Sequence, residues 1–302
     1  PSDVVVRVRA AGICHSDAHY RAGRSRVFPL PLTLGHEVAG EIEKVGSSVT
    51  GLFPGDRVCL HYLISCGECA QCKLGREQFC DTGSMLGHYR HGGWAEHIVV
   101  PARNAVRLPD GVSFEHGAVM MCSSSTALHA LRKGRLAEGE SVAVFGVGGL
   151  GMSAVQIARA LGASAVFAVD MNAEKLELAK FYGAVPVNAR DSDAVAAIRD
   201  RTGGAGVDVA VELTGLPITM RQAVQSVGVH GRAVIAGLAE KPLEIDTYSE
   251  LLGKEAEVIG ANDHLLGELS FLLELASNGK LDLSRIVQRR VALDASQVNG
   301  VL

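Results

Sequence analysis

Val142-Ala143-Val144-Phe145-Gly146-Val147-Gly148-Gly149-Leu150-Gly151 decides how this chain folds. An apolar run ended by glycine reads as a buried strand, and Gly146, Gly148 and Gly151 carry the G-x-G-x-x-G spacing. That spacing is weak by itself. Here it follows a strand and opens a helical stretch, and Asp170 ends the next strand pattern nineteen residues after Gly151. In that setting Gly146 permits a tight turn, Gly148 lets the backbone approach a pyrophosphate, and Gly151 lets the helix pack close to the strand. The amides around Gly149 and Leu150 would then meet the phosphates at the positive end of the helix. Asp170 would accept from both hydroxyls of the adenosine ribose. A carboxylate there repels a 2′-phosphate, which predicts NAD rather than NADP. Lys175, five residues on, is within reach of the same ribose.

Downstream, strand and helix patterns alternate. Strands are predicted at 142–147, 165–170, 185–188, 207–213, 231–238 and 256–260, with helices at 149–162, 173–183, 193–202 and 217–228. Such alternation implies a doubly wound parallel sheet covered on both faces. Strand 256–260 falls near the end of that sheet. Upstream the character changes. Residues 3–10, 38–45 and 56–60 alternate as strands, and Gly51, Pro54 and Gly55 punctuate them. Little helical periodicity occurs up to about residue 120, so this region reads as mostly β with long loops. The stretch 117–131 is small and apolar at helical spacing and leads into the sheet.

Length and composition agree with two domains: 302 residues, 47% hydrophobic and 35 glycines. A net charge of −4 gives no electrostatic reason to bind nucleic acid or an anionic membrane. The longest uncharged run, 141–158, is broken by four glycines and is read as strand, turn and helix instead of a membrane span. Pro1-Ser2-Asp3 leads straight into a strand pattern without the layout of a secretory leader, so a cytoplasmic protein is expected.

The seven cysteines carry the chemistry. Cys66-x2-Cys69-x2-Cys72-x7-Cys80 lies in a loop poor in apolar residues. Four thiolates at that spacing close a tetrahedron around zinc and leave no open position, which assigns this site to structure. A second grouping joins Gly12-Ile13-Cys14-His15-Ser16-Asp17-Ala18-His19 to Gly35-His36-Glu37. Cys14 and His36 are ligand types that suit zinc. Asp17 and Glu37 are carboxylates of the kind that orient metal-bound histidines, and Ser16 with His19 offers a hydroxyl and an imidazole for moving a proton. Cys59 continues an apolar strand face and reads as core. His88, His91 and His97 read as surface or pocket histidines around Trp94.

Taken together these motifs resemble the zinc-containing alcohol dehydrogenases of the medium-chain dehydrogenase/reductase family. The resemblance spans nearly the whole chain: Cys14-His15-Ser16-Asp17-x-His19, Gly35-His36-Glu37-x-x-Gly40, the four-cysteine lobe, Gly92-Gly93 before Ala95-Glu96, and the Gly146–Gly151 fingerprint follow the family's order. It implies an α/β fold in which a Rossmann sheet is joined to a mostly β, GroES-like catalytic domain. Residues 1–124, completed by 267–302, would form the catalytic domain, and 125–266 the NAD-binding one. It also implies a catalytic zinc held by Cys14, His36 and Cys122, in addition to the structural zinc. His15 would touch the coenzyme pyrophosphate and Thr126 would face the nicotinamide. Ser16 would take the alcohol proton and pass it through the ribose to His19, with Asp17 behind His36 and Glu37 beside the metal. Tyr62 and Trp94 are candidate walls of the substrate pocket.

The activity implied is reversible oxidation of a primary or secondary alcohol to an aldehyde or ketone by hydride transfer to NAD. The competing readings are a polyol, amino-alcohol or formaldehyde-type dehydrogenase on the same fold, and a non-catalytic relative that binds zinc and nucleotide. A homodimer or homotetramer is expected from the resemblance. Family members also carry residues before the position of Val4 and beyond Leu302, including a pyrophosphate-binding arginine that Arg289 and Arg290 do not match. The resemblance thus implies either a piece of a longer chain or a fold trimmed at both ends.

Overall fold

A computed structural model describes all 302 residues. They form two compact units: Pro1–Ser125 with Leu265–Gly279 and Leu283–Leu302, and Thr126–His264 with Lys280–Asp282.

The first unit begins with β1 (Asp3–Ala11), followed by α1 (His15–Arg21), β2 (Val38–Val45), β3 (Arg57–Leu60), β4 (Leu63–Ile64), α2 (Ala70–Lys73), β5 (Ser84–Met85), β6 (His97–Pro101), β7 (Ala105–Arg107) and α3 (Phe114–Val119). The main sheet runs β6-β1-β2-β3-β7 and its pairs are antiparallel. Its alternation turns Val4, Val6, Val38, Ile42, Val58, Leu60, Ile98 and Val100 into one core, where they meet Tyr62 and Cys122. Helix α3 packs on β1, β2 and β3. It runs into a π turn over Met120–Ser124 and then into α4 (Ser125–Lys133).

The second unit alternates as expected: β8 (Ser141–Phe145), α5 (Gly149–Ala160), β9 (Ala165–Asp170), α6 (Ala173–Phe181), β10 (Val185–Asn188), α7 (Ala194–Arg201), β11 (Val207–Glu212), α8 (Pro217–Ser226), β12 (Val227–Ile235) and β13 (Glu257–Gly260). All its strand pairs are parallel, in the order β10-β9-β8-β11-β12-β13. The order reverses between β8 and β11, and ligands of such sheets bind in the crevice outside the carboxyl ends at that reversal. Gly151 packs so tightly on the turn that a Cβ would lie 1.9 Å from the Gly146 carbonyl oxygen. Strand β13 is the sheet edge.

The chain then returns to the first unit with α9 (Leu269–Ser277) and α10 (Ala295–Asn299). Helix α9 packs against the π turn. The N–H of Leu266, just ahead of it, donates to Glu77 from between Cys72 and Cys80, at 2.7 Å.

The architecture is the one expected, a doubly wound parallel sheet with a mostly β second unit, but several local expectations change. Residues His15–Arg21 form a helix, not a loop, capped where Asp17 accepts from the Cys14 N–H at 2.9 Å. Strand β12 starts at Val227, not 231, and 236–238 lie outside it. Its first residues are irregular: His230 has φ +56, and regular pairing with β11 starts at Arg232. The helical stretch around Cys122 is a π turn, not an unbroken α-helix.

Candidate active site and metal centres

Three separate places in the first unit deliver one cluster. Cys14 stands at the start of α1, His36 and Glu37 immediately before β2, and Cys122 in the π turn. One ligand atom from each of these four lies within 4.8 Å of all the others. A π turn fits one extra residue into a helical turn and re-aims its side chains, a device frequent at functional sites. Here it turns Cys122 into the core beside Cys14.

Asp17 ties the first two places together. It is fully buried and accepts from the Cys14 N–H through Oδ2 and from the Gly35 N–H through Oδ1, at 2.9 and 3.3 Å. Its Oδ1 also lies 3.5 Å from His36 Nδ1. That is within reach of charge attraction, yet neither ring nitrogen of the buried His36 has a hydrogen-bond partner. Trp94 braces the same two loops. Its Nε1 donates to the Gly12 carbonyl at 3.1 Å, and its ring covers Gly35, where a Cβ would come within 2.3 Å. Tyr62 is buried with its ring edge-on to His36 at 5.2 Å, so it walls the imidazole from the core side.

The electrostatics of the cluster point to a cation. The Cys14 thiol is held well below its ordinary value, first by the Cys122 thiol and then by His36, against the effect of burial. Burial acts to lower His36, but Asp17 and Cys14 prevail and hold its imidazole well above the usual range. The Glu37 carboxyl is pushed well up, by burial first and by Cys14 second. Two sulfurs, an imidazole with unpartnered nitrogens and a crowded carboxylate make a donor set that suits zinc. Ser16 Oγ lies 3.8 Å from Cys14 Sγ, and His19 follows it by three residues on α1, half-buried. His15 is exposed at the first position of that helix.

The four lobe cysteines also converge within 4.8 Å. All are free thiols, with Sγ–Sγ distances of 3.9 Å for Cys66–Cys72 and Cys69–Cys80 and 3.5 Å for Cys80–Cys66. A tetrahedron with zinc–sulfur arms of about 2.3 Å has edges of about 3.8 Å. The backbone N–H groups of Glu68 and Cys69 donate to Cys66 Sγ and bring its thiol down to about 6. The N–H of Cys66 donates to Cys80. Amides aimed at sulfur favour the thiolates a metal requires. Cys59 lies outside both clusters; burial pushes its thiol up to about 12, as a core residue's should be.

In the second unit, Gly148 and Gly149 are exposed at the start of α5. Asp170 ends β9 and braces this turn, its Oδ2 accepting from the Val147 N–H at 3.0 Å and its Oδ1 from the Asn172 N–H at 2.9 Å. Asn172, not Asp170, caps α6, by accepting from the Lys175 N–H. Lys175 is exposed, and Thr126 is half-buried on α4. One residue of this unit escapes the sequence reading. Glu212 is wholly buried at the carboxyl end of β11. An acid closing an apolar strand just before Thr214-Gly215 was the available signal, as it was for Asp170.

Known proteins match both units of the chain. Residues 1–110 match the alcohol dehydrogenase GroES-like domain, and residues 149–269 match the zinc-binding dehydrogenases. An alcohol dehydrogenase of Geobacillus stearothermophilus is 38% identical over 282 residues, 92% of this chain and 82% of the relative. The L-threonine 3-dehydrogenase of Pectobacterium atrosepticum is 32% identical over 300 residues, 98% of this chain and 82% of the relative. Among solved structures, the alcohol dehydrogenase TADH from Thermus sp. ATN1 aligns with a TM-score of 0.93 at 33% identity, covering 99% of this chain and 88% of that one. Identity at this level, sustained from one end of the chain to the other, makes the protein a member of the zinc-containing alcohol dehydrogenases within the medium-chain dehydrogenase/reductase family, and so an oxidoreductase.

Proposed function

We propose that this protein oxidises small primary or secondary alcohols to aldehydes or ketones, reversibly, with NAD as the hydride acceptor. The observation that carries the reading is the meeting of Cys14, His36 and Cys122, with Glu37, in one buried cluster. Cys14, His36 and Cys122 would hold a zinc ion, which when bound supplies Lewis-acid polarisation of the alcohol oxygen. Glu37 offers an oxygen donor in the same cluster. Asp17 fixes the direction of the imidazole and the start of α1 together, so the donor atoms stay aimed at one point. Ser16 would take the hydroxyl proton, a role supported by its Oγ lying 3.8 Å from Cys14 Sγ, and His19 on the same helix would carry it toward solvent. His36 and Glu37 are buried and Cys14 is half-buried, which would limit the access of bulk water to the cluster.

In the second unit, the exposed amides at Gly148 and Gly149 favour a pyrophosphate, and the carboxylate of Asp170 favours the free ribose hydroxyls of NAD over a 2′-phosphate. The four-cysteine lobe would hold the second, structural zinc. Relatives named L-threonine 3-dehydrogenase, (R,R)-butanediol dehydrogenase and sorbitol dehydrogenase set the nearest alternatives for substrate.

One experiment tests the reading: initial rates at 340 nm with simple alcohols, butanediol, sorbitol and L-threonine, each with NAD and with NADP, alongside zinc analysis. Turnover of simple alcohols with NAD and two zinc ions per chain is the expected result. Turnover of L-threonine or sorbitol alone would move the substrate class. A chain holding one zinc and turning over nothing would be a non-catalytic relative.

A further inference from the structure

Glu212 has no part in the reading above, yet it is the most heavily partnered acid in the second unit. It is 0% exposed, at the carboxyl end of β11. Its Oε1 accepts from the Thr214 N–H at 2.9 Å, from the Thr214 hydroxyl, from the Thr219 hydroxyl at 2.8 Å and from the Gly215 N–H at 3.0 Å. Its Oε2 lies 3.3 Å from the same Gly215 N–H. The backbone carbonyl of Glu212 takes the N–H groups of Ala236 and Gly237, both at 3.0 Å. The side chain thus joins the loop after β11 to the first turn of α8, and the backbone of the same residue holds the chain leaving β12.

That loop is one lip of a crevice. The strand order reverses between β8 and β11, and Gly146 follows β8 on the other lip. The lips meet: a Cβ on Gly146 would lie 2.3 Å from Thr214 Cγ2. Gly215 and Gly237 close behind, since a Cβ on Gly237 would fall 2.1 Å from the Gly215 nitrogen and 2.7 Å from Glu212 Oε2. Thr214 itself is exposed on the open side of this packing. A buried carboxylate with only donors around it, set directly beneath an exposed loop at the reversal point, holds that loop in one shape.

We propose that Glu212 is a positioning residue for the dinucleotide: by fixing Thr214 and Gly215 against Gly146 it sets the width of the crevice that receives the coenzyme. The proposal rests on the coenzyme-binding reading given above. A buried acid that merely stapled the loop would affect folding alone. A positioning acid also affects coenzyme affinity, and more than it affects turnover once coenzyme saturates.

The test compares wild type, Glu212→Ala, Glu212→Gln and Thr219→Val by calorimetric titration with NAD and NADH, with Tm, zinc content and steady-state rates measured on the same preparations. Glu212→Ala should weaken coenzyme binding by about tenfold or more, the scale of losing hydrogen bonds to a charged partner. Glu212→Gln should lose less, because its carbonyl keeps one acceptor for Thr214 and Thr219, although its amide N–H then opposes the Gly215 N–H. Thr219→Val should lose least. The KM for coenzyme should rise in the same order, while zinc content, KM for alcohol and kcat at saturating coenzyme hold within about twofold. If Glu212→Ala does not fold, the gradation from Thr219→Val to Glu212→Gln decides. Coenzyme affinity unchanged in both of these, whatever the Tm, overturns the proposal. A wild-type chain that binds neither NAD nor NADP overturns the function reading and this proposal with it.

Discussion

The two candidate metal clusters each gather four donor atoms but have opposite origins. In each, four ligand atoms lie within 4.8 Å of one another. The lobe draws all four from Cys66–Cys80, in an exposed loop whose own amides point at the sulfurs. The buried cluster draws on the start of α1, the approach to β2 and the π turn, held together by a hydrophobic core and by Asp17. A metal in the lobe would fold its loop. A metal in the buried cluster would be received by a fold that already exists. Four thiolates also close a tetrahedron, whereas two thiolates and an imidazole leave a place for substrate.

This contrast can be broken. Cys122→Ser removes a ligand from the buried cluster and should lower kcat/KM on the order of a thousandfold or more, since the Lewis acid goes with the ligand. Zinc should drop by one ion per chain with Tm nearly unchanged; a variant that kept both ions and full activity would end the ligand assignment. Cys72→Ser attacks the lobe and should do the reverse. Zinc again drops by one, but Tm should fall by roughly 10 °C, because binding energy there is folding energy. Equal Tm losses in the two variants would erase the distinction drawn here.

Asp17→Asn keeps every ligand and weakens only what orients them. Metal affinity of the buried cluster should fall about 10- to 100-fold with the lobe unaffected, measured by competition with a zinc chelator. Finally, alkylation of the metal-stripped protein, followed by peptide mass spectrometry, should label Cys66 first, Cys14 and Cys122 later and Cys59 last. Cys66 is exposed, whereas Cys59 is wholly buried with its thiol pushed up to about 12. Early labelling of Cys122 would mean that its site opens as readily as the lobe.

The same contrast explains what could be read from the residues in advance. Spacing alone identifies the lobe, because its geometry is local. The glycine fingerprint and Asp170 were legible for the same reason, and the helices and strands of the second unit follow periods of 3.6 and 2 closely. Cys122 has no such signal. It lies among Ser123, Ser124 and Ser125, and only resemblance to a family pointed to it. Helix α1 escaped because His15–Arg21 is short, polar and almost without an apolar stripe. The start of β12 escaped because Gly228, His230 and Gly231 look like a turn, and the left-handed φ of His230 makes it nearly one. Glu212 carried a readable pattern that periodicity arguments do not weigh. Only for Cys122 do the deciding partners, Cys14 and His36, lie far away along the chain; those of Glu212 are all within seven residues of it.

The first unit is not continuous: Pro1–Ser125 must wait for Leu265–Gly279 and Leu283–Leu302, and Thr126–His264 stands between. During synthesis every strand of the parallel sheet is polymerised before the helix that backs the π turn. The second unit can close on its own strands early, lacking only Lys280–Asp282, while the apolar face awaiting α9 stays open to solvent or to a chaperone. A metal held by the buried cluster would therefore gain its full surroundings only when the last part of the first unit has docked behind the π turn.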